Sequence, residues 1–553
     1  MAIRLIDTST LQMTFVTDSP PYAILSHTWE HDSEISFHEM VAISEDPQHP
    51  ATRKFGYLKI LMTCETAKNN GIPYVWVDTC CIDKTSSSEL SEAINAMYRW
   101  YQEARVCYVY LSDFNIWHDT ESSLAQCRWF TRGWCLQELI APKELLFLDA
   151  SWQEIGSKAD LTSRISEITS IDREVLIDSS LIKYVPVARR MSWAAKRKTT
   201  REEDMAYCLL GIFDVNMPML YGEGSRAFLR LQEEIIKDSN DLSIFALHQS
   251  PATVSDVDCF NDQPLYNYRS LFATWPSDFK ECGQLMHTRH DVHWNNAFSL
   301  TNKGLYFRRA EMQVEVRRGL YSLPLNCMPS GSKQSWMHLR KVGPGLYAKL
   351  DVGLESHVDE GSYTEVENDV YIIREITPQV QHQLEQAEEY AIRVQSRSHD
   401  LLKALQVMQR STSSDRWDVS RQLFLTRGEK SFGGFWKVFP SFARKIQGSA
   451  ELPQLPSAHF YLVCGLNHSS AYSGPRAWVR LLSFKEWTDL GNKYGILTNP
   501  TNVEILSTEN TAAQLVFGSG SNSLLVTATI QLTRSEGRPI FVLELDMKES
   551  KER

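Results

Sequence analysis

A glutamate and an aromatic residue are spaced for joint chemistry in the segment RGWCLQELI (132–140). Trp134 and Glu138 are four residues apart, so their side chains share a face if the segment is helical. A carboxylate can hold ribose hydroxyls and stabilise a developing oxocarbenium ion, and an indole can stack on a flat aromatic leaving group. The pair is a candidate for cleaving a glycosidic bond. The plainer interpretation is a solvated or salt-bridged glutamate on a short amphipathic helix.

Two adjacent cysteines form a second candidate. Cys80 and Cys81 end an apolar segment and lie between Asp78 and Asp83, and His27 ends an earlier apolar segment. A cysteine–histidine hydrolase requires a thiolate, and neighbouring carboxylates raise the pKa of a thiol. The pattern therefore favours a packed pair of thiols, with a hydrolase that uses Cys81 and His27 as the weaker alternative.

The sequence lacks the motifs of phosphate loops and of cysteine metal sites. GxxxxGK[ST] and a strand-linked GxGxxG are absent, and the segment YGEG (221–224) has an acid where a phosphate would lie. No CxxC occurs, which disfavours zinc ribbons and thioredoxin-type pairs. We therefore expect no metal and no resident cofactor.

Composition bounds the class of protein. The 553 residues have a net charge of −11, with 43% hydrophobic and 23% charged residues, which is typical of a globular chain of several domains. The acidic balance argues against nucleic-acid binding. No stretch approaches 18 apolar residues and the first 20 residues lack a signal pattern, so we expect no membrane span and a cytoplasmic location. The eleven cysteines, without framework spacing, are expected to be buried and reduced.

The elements that must position these residues alternate between strand and helix. Strands are predicted at 22–29, 72–82, 105–114 and 143–152, and helices at 56–71, 86–104 and 132–142. This alternation is typical of an α/β domain with a mainly parallel sheet. Because the carboxyl ends of parallel strands meet at one edge, His27 and the residues near Asp78 should lie together there.

The rest of the chain changes character twice. Residues 153–247 are predicted to be mostly helical, with Thr200 and Glu203 as a capping box that opens a helix over 201–212. Beyond about 250 the chain is β-rich, interrupted by a long helix predicted over 377–410. The predicted segments are an α/β core, a helical annex, a β-rich domain, a connecting helix and a second β-rich domain, at 1–152, 153–250, 251–376, 377–410 and 411–553.

Several long blocks between residues 20 and 245 resemble the fungal heterokaryon-incompatibility (HET) domain. They are YAILSHTWEHD, GIPYVWVDTCCIDK, ELSEAINAMYRWYQEARVCYVYLSD, RWFTRGWCLQELIAP and MSWAAKRKTTREEDMAYCLLGIFDVNMPMLYGEGSRAFLRLQEEI. The segments LFATWPSDFKECG and FSLTNKGLYF are similar to the region that often follows this domain. The first blocks also resemble a TIR domain, which implies a flavodoxin-like sheet.

The resemblance implies a function and a set of site residues. HET domains act in self/non-self recognition and programmed cell death of filamentous fungi. WCLQEL is similar to the TIR block that holds the NAD-cleaving glutamate, which implies Glu138 as the catalytic residue and NAD as the substrate. The residues implied to bind NAD are Ser26, His27, Trp29, Asp78, Cys81, Asp83, Arg132 and Trp134, with Trp134 lining the nicotinamide pocket.

Two departures from the TIR pattern bear on these assignments. The loops after His27 and after Asp83 lack the Arg-Gly pair, so the phosphate contacts differ from those of plant TIR domains. Asp78, Cys81 and Asp83 belong to the HET pattern, and they either build the pocket or hold its strand.

Two functions follow as alternatives. One is an NAD glycohydrolase that acts once the chain assembles into a homo-oligomer, and the other is a non-catalytic TIR-like interaction module in death signalling. The environment of Glu138 discriminates between them, since it faces either an open cleft or a salt bridge with Arg132 or another cation. The β-rich half is expected to sense an unknown protein or ligand, or to inhibit the first half.

Overall fold

The structure is a computed structural model of the whole chain. It describes residues 3–17, 20–118, 121–247, 267–288, 297–316, 318–331, 334–352, 362–396, 416–426, 431–438, 460–467, 475–494, 496, 506–517, 524–535 and 538–549. The chain divides into two compact units. The first comprises Met1–Gln249, Phe272–Asn295 and Leu325–Ser335, and the second comprises Ser250–Leu271, Asn296–Pro324 and Trp336–Arg553. The five predicted segment boundaries stay predictions.

A seven-stranded sheet organises the first unit. Its strands are β1 (Ile3–Asp7), β2 (Met13–Val16), β3 (Tyr22–His27), β4 (Tyr74–Trp76), β5 (Val106–Tyr110), β6 (Leu145–Leu148) and β7 (Glu154–Ser157), in the order β2-β1-β4-β3-β5-β6-β7. The pairs β3–β4, β3–β5 and β5–β6 are parallel, and the outer pairs are antiparallel. The predicted α/β class with a parallel core is confirmed.

The central strand β3 shows why this sheet forms. All six of its residues are buried, as expected for an apolar strand covered on both faces. The four parallel strands lie in the order β4-β3-β5-β6. The chain passes from β3 to β4 on one side of β3, and the next connection leads from β4 to β5 on the other side of β3. In open α/β sheets such a switch point creates a crevice at the carboxyl ends of the strands. Here that crevice lies between the ends of β3 and β5.

Four helices connect these strands: α1 (Phe37–Glu45), α2 (Phe55–Asn69), α3 (Ser87–Glu103) and α4 (Cys135–Ile140). Ser36 and Glu39 form a capping box at α1, and Ser86 accepts from the backbone N–H of Glu89 at α3. Right-handed crossovers place α2 on one face of the sheet and both α3 and α4 on the other. The crevice is therefore approached by α2 from one side and by α4 from the other.

Six further helices follow the sheet in the first unit: α5 (Thr162–Thr169), α6 (Arg173–Ile177), α7 (Val187–Ser192), α8 (Asp204–Tyr207), α9 (Leu210–Phe213) and α10 (Arg226–Asp238). The capping box predicted at Thr200 and Glu203 is wrong, because α8 begins only at Asp204 and Glu203 caps nothing through its side chain. Its carboxylate instead accepts from the backbone N–H groups of Gly222 and Gly224. A two-stranded sheet of β8 (Leu285–His287) and β12 (Cys327–Pro329) completes the described part of the unit.

The second unit is β-rich, as predicted. Its first sheet contains β9 (Phe298–Thr301), β10 (Gly304–Glu315), β11 (Leu320–Pro324), β13 (Trp336–Gly343), β14 (Leu346–Lys349) and β15 (Tyr363–Ile372). The order β11-β13-β14-β15-β10 closes on itself through the β10–β11 pairing. Closure satisfies strand edges that would otherwise be exposed. All pairings in this sheet are antiparallel except β14–β15.

The remaining described elements form two more sheets and two helices. The strands are β16 (Ile392–Ser396), β17 (Trp417–Asp418), β18 (Leu423–Phe424), β19 (Ser431–Val438), β20 (Phe460–Asn467), β21 (Arg476–Ser483), β22 (Ala512–Phe517), β23 (Leu524–Ser535) and β24 (Arg538–Glu549). The helices are α11 (Pro378–Glu385) and α12 (Phe484–Tyr494). β19–β20–β21 form one sheet, and the other six strands form the second.

The long helix predicted over 377–410 is wrong in extent. Thr377 caps its start and Pro378 is its first residue, as predicted, but the helix ends at Glu385. Tyr390 then adopts a left-handed conformation with φ 59°, and the chain continues as β16, which pairs with β24. Burial alternates along β16, so the period is that of a strand. Residues 397–410 lie outside the described residues.

Two further predictions concern the whole chain. The ten cysteines within the described ranges are all buried and free of disulfides, which confirms the predicted packed thiols for those residues. None of the helices described is long and apolar enough to cross a membrane.

Candidate active site

Glu138 is held at the crevice by a short helix whose far end is capped. All six residues of α4 are buried, and Glu138 exposes only 6% of its surface. The buried ammonium of Lys158 donates to the backbone carbonyls of Leu139 and Pro142 just beyond. A cation at this end also suits the helix dipole. Lys158 therefore fixes the helix that carries Glu138.

Ser26 connects Glu138 to the central strand. Its hydroxyl donates to the Glu138 carboxylate and accepts from the indole N–H of Trp129 at 2.7 Å. Trp129 is fully buried and packs edge-on against Phe130 and Phe147. We call Ser26, Trp129 and Glu138 the serine–glutamate cluster. The Ser26 hydroxyl has a single proton, which it donates to Glu138. The Ser26 oxygen therefore acts as the acceptor for the indole N–H of Trp129.

The pKa of Glu138 is strongly perturbed. Burial and the nearby charge of Asp78 raise it from 4.5 to about 7, against hydrogen bonds from Ser26 and Cys135 and the charge of Arg132. Within the described chain, no ion pair of Glu138 with a cation is found. The carboxyl group is therefore only about half ionised near neutral pH, and a proton moves on or off it easily.

The opposite face of β3 carries a second polar cluster. Consecutive strand residues point to opposite faces, so His27 faces away from Ser26 and toward α2. Its Nε2 lies 3.2 Å from Asp78 Oδ1, and its Nδ1 lies 3.2 Å from Lys59 Nζ. Lys59, 1% exposed, also bonds the Thr28 carbonyl and the Glu34 carboxylate. We call Asp78, His27, Lys59 and Glu34 the histidine relay.

The relay fixes the tautomer of His27. A lysine ammonium has only donors, so Nδ1 of His27 must accept from Lys59. The proton of a neutral ring is then on Nε2, which donates to Asp78. Hydrogen bonds from His27 and Trp29 and the charge of Lys84 outweigh burial and lower the pKa of Asp78, so this carboxylate stays ionised.

Trp29 is an exposed ring that this relay holds in place. Its indole N–H donates to Asp78 Oδ2 at 3.0 Å, yet 41% of the residue is exposed. The ammonium of Lys84 lies 3.8 Å from the ring centroid, and the Arg132 guanidinium carbon lies 5.9 Å from it. We call Trp29, Lys84 and Arg132 the Trp29 platform.

Asp78 links the three groups. One of its oxygens meets His27 and the other meets Trp29, and its charge raises the pKa of Glu138. The serine–glutamate cluster, the relay and the platform thus lie around the ends of β3 and β4. The structure brings together five of the residues predicted for the site, Ser26, His27, Trp29, Asp78 and Glu138, with Arg132 beside them.

Trp134 lies apart from the serine–glutamate cluster. Its indole hydrogen-bonds the carboxylate of Asp204 on α8, although its backbone precedes α4 directly. The aromatic residue tied to Ser26 is Trp129, five residues earlier. The spacing of four between Trp134 and Glu138 predicts a shared face, but Trp134 occupies the N-cap position and its side chain is directed toward Asp204 in the annex.

Cys81 and Asp83 have local structural partners. The Cys81 thiol accepts from the backbone N–H of Val77 at 3.4 Å, and Asp83 accepts from both the backbone N–H and the hydroxyl of Thr85. The pKa of Cys80 is raised well above its usual value by a hydrogen bond with Cys81 and by burial. His27 bonds Asp78 and Lys59, so this arrangement provides no base for a thiol and disfavours a cysteine hydrolase.

The annex braces the segment that precedes Glu138. The backbone N–H of Lys198 donates to Thr131, and that of Gly133 donates to Lys198. A Cβ at position 133 would lie 2.5 Å from Thr199 Cγ2 and 3.1 Å from Cys208 Sγ, so a larger residue there requires these side chains to shift. Arg197, 6% exposed, donates to the Arg132 carbonyl. The annex is thus part of the framework of the site.

The YGEG loop already holds an internal anion. Gly222 and Gly224 have positive φ values of 103° and 60°, and their N–H groups point at the Glu203 carboxylate at 2.7 and 3.1 Å. A carboxylate of the chain therefore occupies the place that a phosphate would take.

Four residues around the site were not singled out in the sequence: Lys59, Lys84, Trp129 and Arg197. One had a visible signal, because Lys59 lies one turn before Thr63 on the buried face of α2, where a charge is unexpected. The others are brought near Glu138 or Trp29 by the tertiary fold.

Known proteins are similar to parts of this chain. Residues 22–118 match the family described as "Heterokaryon incompatibility protein (HET)", and residues 226–304 match the "Domain of unknown function (DUF8212)". "Vegetative incompatibility protein HET-E-1" of Podospora anserina is 46% identical over 232 residues, which cover 40% of this chain and 17% of that relative. This chain thus spans less than a fifth of the relative's length. No solved structure matches. The HET family match and the similarity to HET-E-1 together support a heterokaryon-incompatibility protein.

Proposed function

We propose that the first unit is a TIR-like enzyme that cleaves NAD at the nicotinamide–ribose bond. In this reaction water adds to the ribose carbon, nicotinamide leaves, and ADP-ribose and a proton are the other products. The ionised Glu138 stabilises the positive charge that develops on the ribose as the bond breaks. Loss of NAD would then be the route to programmed cell death.

The observation that carries this proposal is the environment of Glu138. It is a buried carboxylate at the switch point of a parallel sheet, bonded to a serine, without an ion pair among the described residues, and with a pKa near 7. Perturbed carboxylates in such crevices are typical of catalytic sites. A structural carboxylate is more often neutralised by a cation.

The strand order also supports a TIR-like domain. The parallel strands follow the flavodoxin-like order, since β3, the first of the four along the chain, lies second among them in the order β4-β3-β5-β6. Ser26 and His27 end the first of these strands, and the loops after the first and second supply Trp29, Glu34, Asp78 and Lys84. Lys59 comes from α2, and Trp129, Arg132 and Glu138 come from the segment and the helix before the fourth strand. Fold-level likeness alone does not assign a reaction, so the proposal depends on Glu138.

Burial of Glu138 implies that activity requires a change of state. With 6% of the residue exposed, a ribose cannot reach the carboxylate in this conformation. We propose that assembly into a homo-oligomer opens the crevice to NAD and then closes it around the substrate. The isolated chain should accordingly be slow at low concentration.

The test is NAD turnover by the purified full chain across a range of concentrations. We expect nicotinamide to appear and the rate per chain to rise with concentration for the wild type. Glu138→Gln and Glu138→Ala should reduce the rate at least about a hundredfold. Glu65→Gln, an exposed glutamate on α2, is the matched control and should keep the wild-type rate.

A non-catalytic interaction module is the alternative, and the burial of Glu138 also favours it. In this alternative, the carboxylate packed against Ser26 and Trp129 has a structural role alone, which is to hold α4 on the sheet. In that case concentrated wild-type protein leaves NAD intact, and Glu138→Gln still kills cells. The β-rich second unit is proposed to sense a partner protein or ligand, or to inhibit the first unit, under either function.

A further inference from the structure

We propose that four arginines of the second unit form a binding site for a small phosphate-bearing molecule. They are Arg340, Arg393, Arg421 and Arg538, and we call them the arginine cluster. The inference gives a ligand class to the proposed sensing role of the second unit, so it rests on that part of the proposed function and not on cleavage of NAD. Its basis is a concentration of positive charge in a chain whose net charge is −11.

Glu388 marks the place where the arginine cluster converges. Its Oε1 contacts Arg421 and lies 3.9 Å from Arg340 Nη1. The positive charges of Arg393 and Arg538 also contribute to the low pKa of this carboxyl group. The four arginines come from four separate segments, which are β13, β16, the turn between β17 and β18, and β24. The tertiary fold therefore gathers them around one carboxylate.

Backbone pairing brings Arg393 and Arg538 to the same place. β16, whose second residue is Arg393, pairs in parallel with β24, whose first residue is Arg538. The N–H of Tyr390, just before β16, donates to the carbonyl of Pro539 at 2.7 Å. Arg538 thus lies beside the short turn that leads from Glu388 into β16. The two arginines are held near Glu388 by the sheet itself.

The positive charges of Arg393 and Arg538 are not matched by a carboxylate in contact with them. Arg421 is fully bonded, because it contacts Glu388, lies 2.6 Å from Asp418 and donates to a backbone carbonyl at 2.6 Å. The carboxylate of Glu388 is already shared between two other arginines. Within the described part of the chain, the side chains of Arg393 and Arg538 form neither a hydrogen bond nor an ion pair. Two guanidinium groups are therefore available to an anion.

The charge and the burial of the cluster point to a small phosphate compound. A phosphate monoester carries about −1.5 to −2 charges at neutral pH and has three strong acceptor oxygens, which suits two unmatched guanidinium groups. Partly buried cations without a partner are costly, and a bound anion removes that cost. The side chains of Arg421 and Arg340 are only 9% and 14% exposed, and Arg393 and Arg538 are half-buried. Such recessed groups favour a small ligand over a membrane or a protein surface.

The experiment is isothermal titration calorimetry of the full chain with inorganic phosphate. Sodium chloride keeps the ionic strength constant, so that general screening does not contribute. We expect phosphate to bind, and Arg393→Gln and Arg538→Gln each to weaken binding at least about tenfold, because each removes charge-assisted hydrogen bonds. Arg476→Gln, at an exposed position of β21 in the same unit, is the matched control and should bind phosphate like the wild type.

Thermal unfolding distinguishes a ligand site from a structural role of the two arginines. Like charges repel, so without phosphate both Arg393→Gln and Arg538→Gln should unfold at the wild-type temperature or above it. Phosphate should raise the unfolding temperature of the wild type, because it binds the folded state, and should raise that of the two variants less. Variants that unfold below the wild type without phosphate would show that the two arginines are structural and would overturn the inference.

The outcomes also separate this inference from the proposed reaction. If phosphate does not bind, or binds the wild type and all three variants equally, while NAD is cleaved in a manner that depends on Glu138, the arginine cluster is not an anion site and the proposed reaction stands. If phosphate binds as expected and NAD is never cleaved, the anion site stands and the proposed reaction is wrong. Tighter binding of a phosphoserine peptide than of inorganic phosphate would overturn the choice of a small ligand.

Discussion

Two glutamates, the buried Glu138 in the first unit and the half-buried Glu388 in the second, have opposite surroundings. Glu138 bonds the neutral hydroxyl of Ser26, and burial and Asp78 raise its pKa to about 7. Burial alone would raise the pKa of Glu388 too, but the charges of Arg421 and Arg340 outweigh it and lower that pKa to about 2. Glu388 is thus fully neutralised by arginines, whereas Glu138 is not.

The difference is the one expected between a structural carboxylate and the carboxylate that we propose acts in catalysis. Arg421 also bonds Asp418 at 2.6 Å and the Lys341 carbonyl at 2.6 Å, so Glu388 belongs to a network that joins three segments of the second unit. A paired carboxylate in such a network cannot change its charge near neutral pH. Glu138 can, and it does so at the crevice where a ligand of a parallel sheet is expected.

The largest change in stability should come from breaking the ion pair between Glu388 and Arg421. Glu388→Gln leaves Arg421, whose side chain is only 9% exposed, with less countercharge, and we expect the second unit to lose about 3–5 kcal/mol of unfolding free energy. Denaturant unfolding with hydrogen exchange in β13 measures it. The folded pKa is depressed, so the stabilisation is present above about pH 4.5 and is lost as the pH falls toward 2.

Arg309→Gln is the control for this experiment, since Arg309 belongs to an exposed surface pair with Glu311. It should change stability by less than about 0.5 kcal/mol. A loss of under about 1 kcal/mol in Glu388→Gln would contradict the view that this network holds the second unit together.

The second largest change in stability should be an increase, in the variant Glu138→Gln. The folded pKa of Glu138 is raised from 4.5 to about 7, so the first unit loses stability as the pH rises through that window. Glu138→Gln removes the charge, and we expect the variant to be more stable than the wild type by up to roughly 3 kcal/mol at about pH 8. The two should converge near pH 4.5. Thermal unfolding of both proteins at several pH values measures the difference.

If Glu138→Gln is instead destabilised, by an amount that is constant above about pH 4.5 and shrinks at lower pH, the carboxylate is a structural group like Glu388 and the contrast between the units disappears. Glu65→Gln, which is exposed on α2, should unfold like the wild type throughout.

Replacing Ser26 should have a smaller effect, which is on the pKa of Glu138. The hydrogen bond from Ser26 lowers the pKa of Glu138, so Ser26→Ala should raise that pKa further. The pH at which NAD cleavage is half-maximal should rise with it. Ser44→Ala, which removes a hydroxyl bonded to the Met40 carbonyl in α1, is the control. An unchanged pH profile in Ser26→Ala would mean that Ser26 does not act on Glu138.

The smallest effect should be at Trp134. Its indole meets Asp204, so Trp134→Phe should change the NAD cleavage rate less than about threefold, whereas Trp129→Phe removes the bond to Ser26 and should reduce it at least about tenfold. Steady-state rates of the two variants at one pH make the comparison. The reverse order of effects would restore Trp134 as the wall of the nicotinamide pocket.

Strong local patterns predicted much of the first unit. The helices at 56–71 and 86–104 were expected and occur as α2 and α3, because cap residues and apolar spacing act within the segment itself. The buried run of β3 was equally clear. The residues at the ends of β3 and β4 were placed correctly at one edge, since parallel strands force that result.

The errors arose where long-range contacts overrule local preference. Residues 386–396 have helix-forming composition, but β16 gains a partner in β24 and burial on alternate residues. Glu203 fits a capping box in sequence, yet its carboxylate is taken by two glycine N–H groups about twenty residues later. The partners of Trp134, Lys84 and Arg197 likewise depend on the docking of loops and of the annex, which periodicity does not encode.

The central claim is that Glu138 performs chemistry in its ionised form, and the most direct test is the pH dependence of nicotinamide release by the concentrated full chain. The rate should rise with pH, reach half its maximum near pH 7 and level off above, with Glu138→Gln at the background rate throughout. A wild-type rate that does not change between about pH 6 and 8, or a Glu138→Gln variant that releases nicotinamide like the wild type, would contradict the claim.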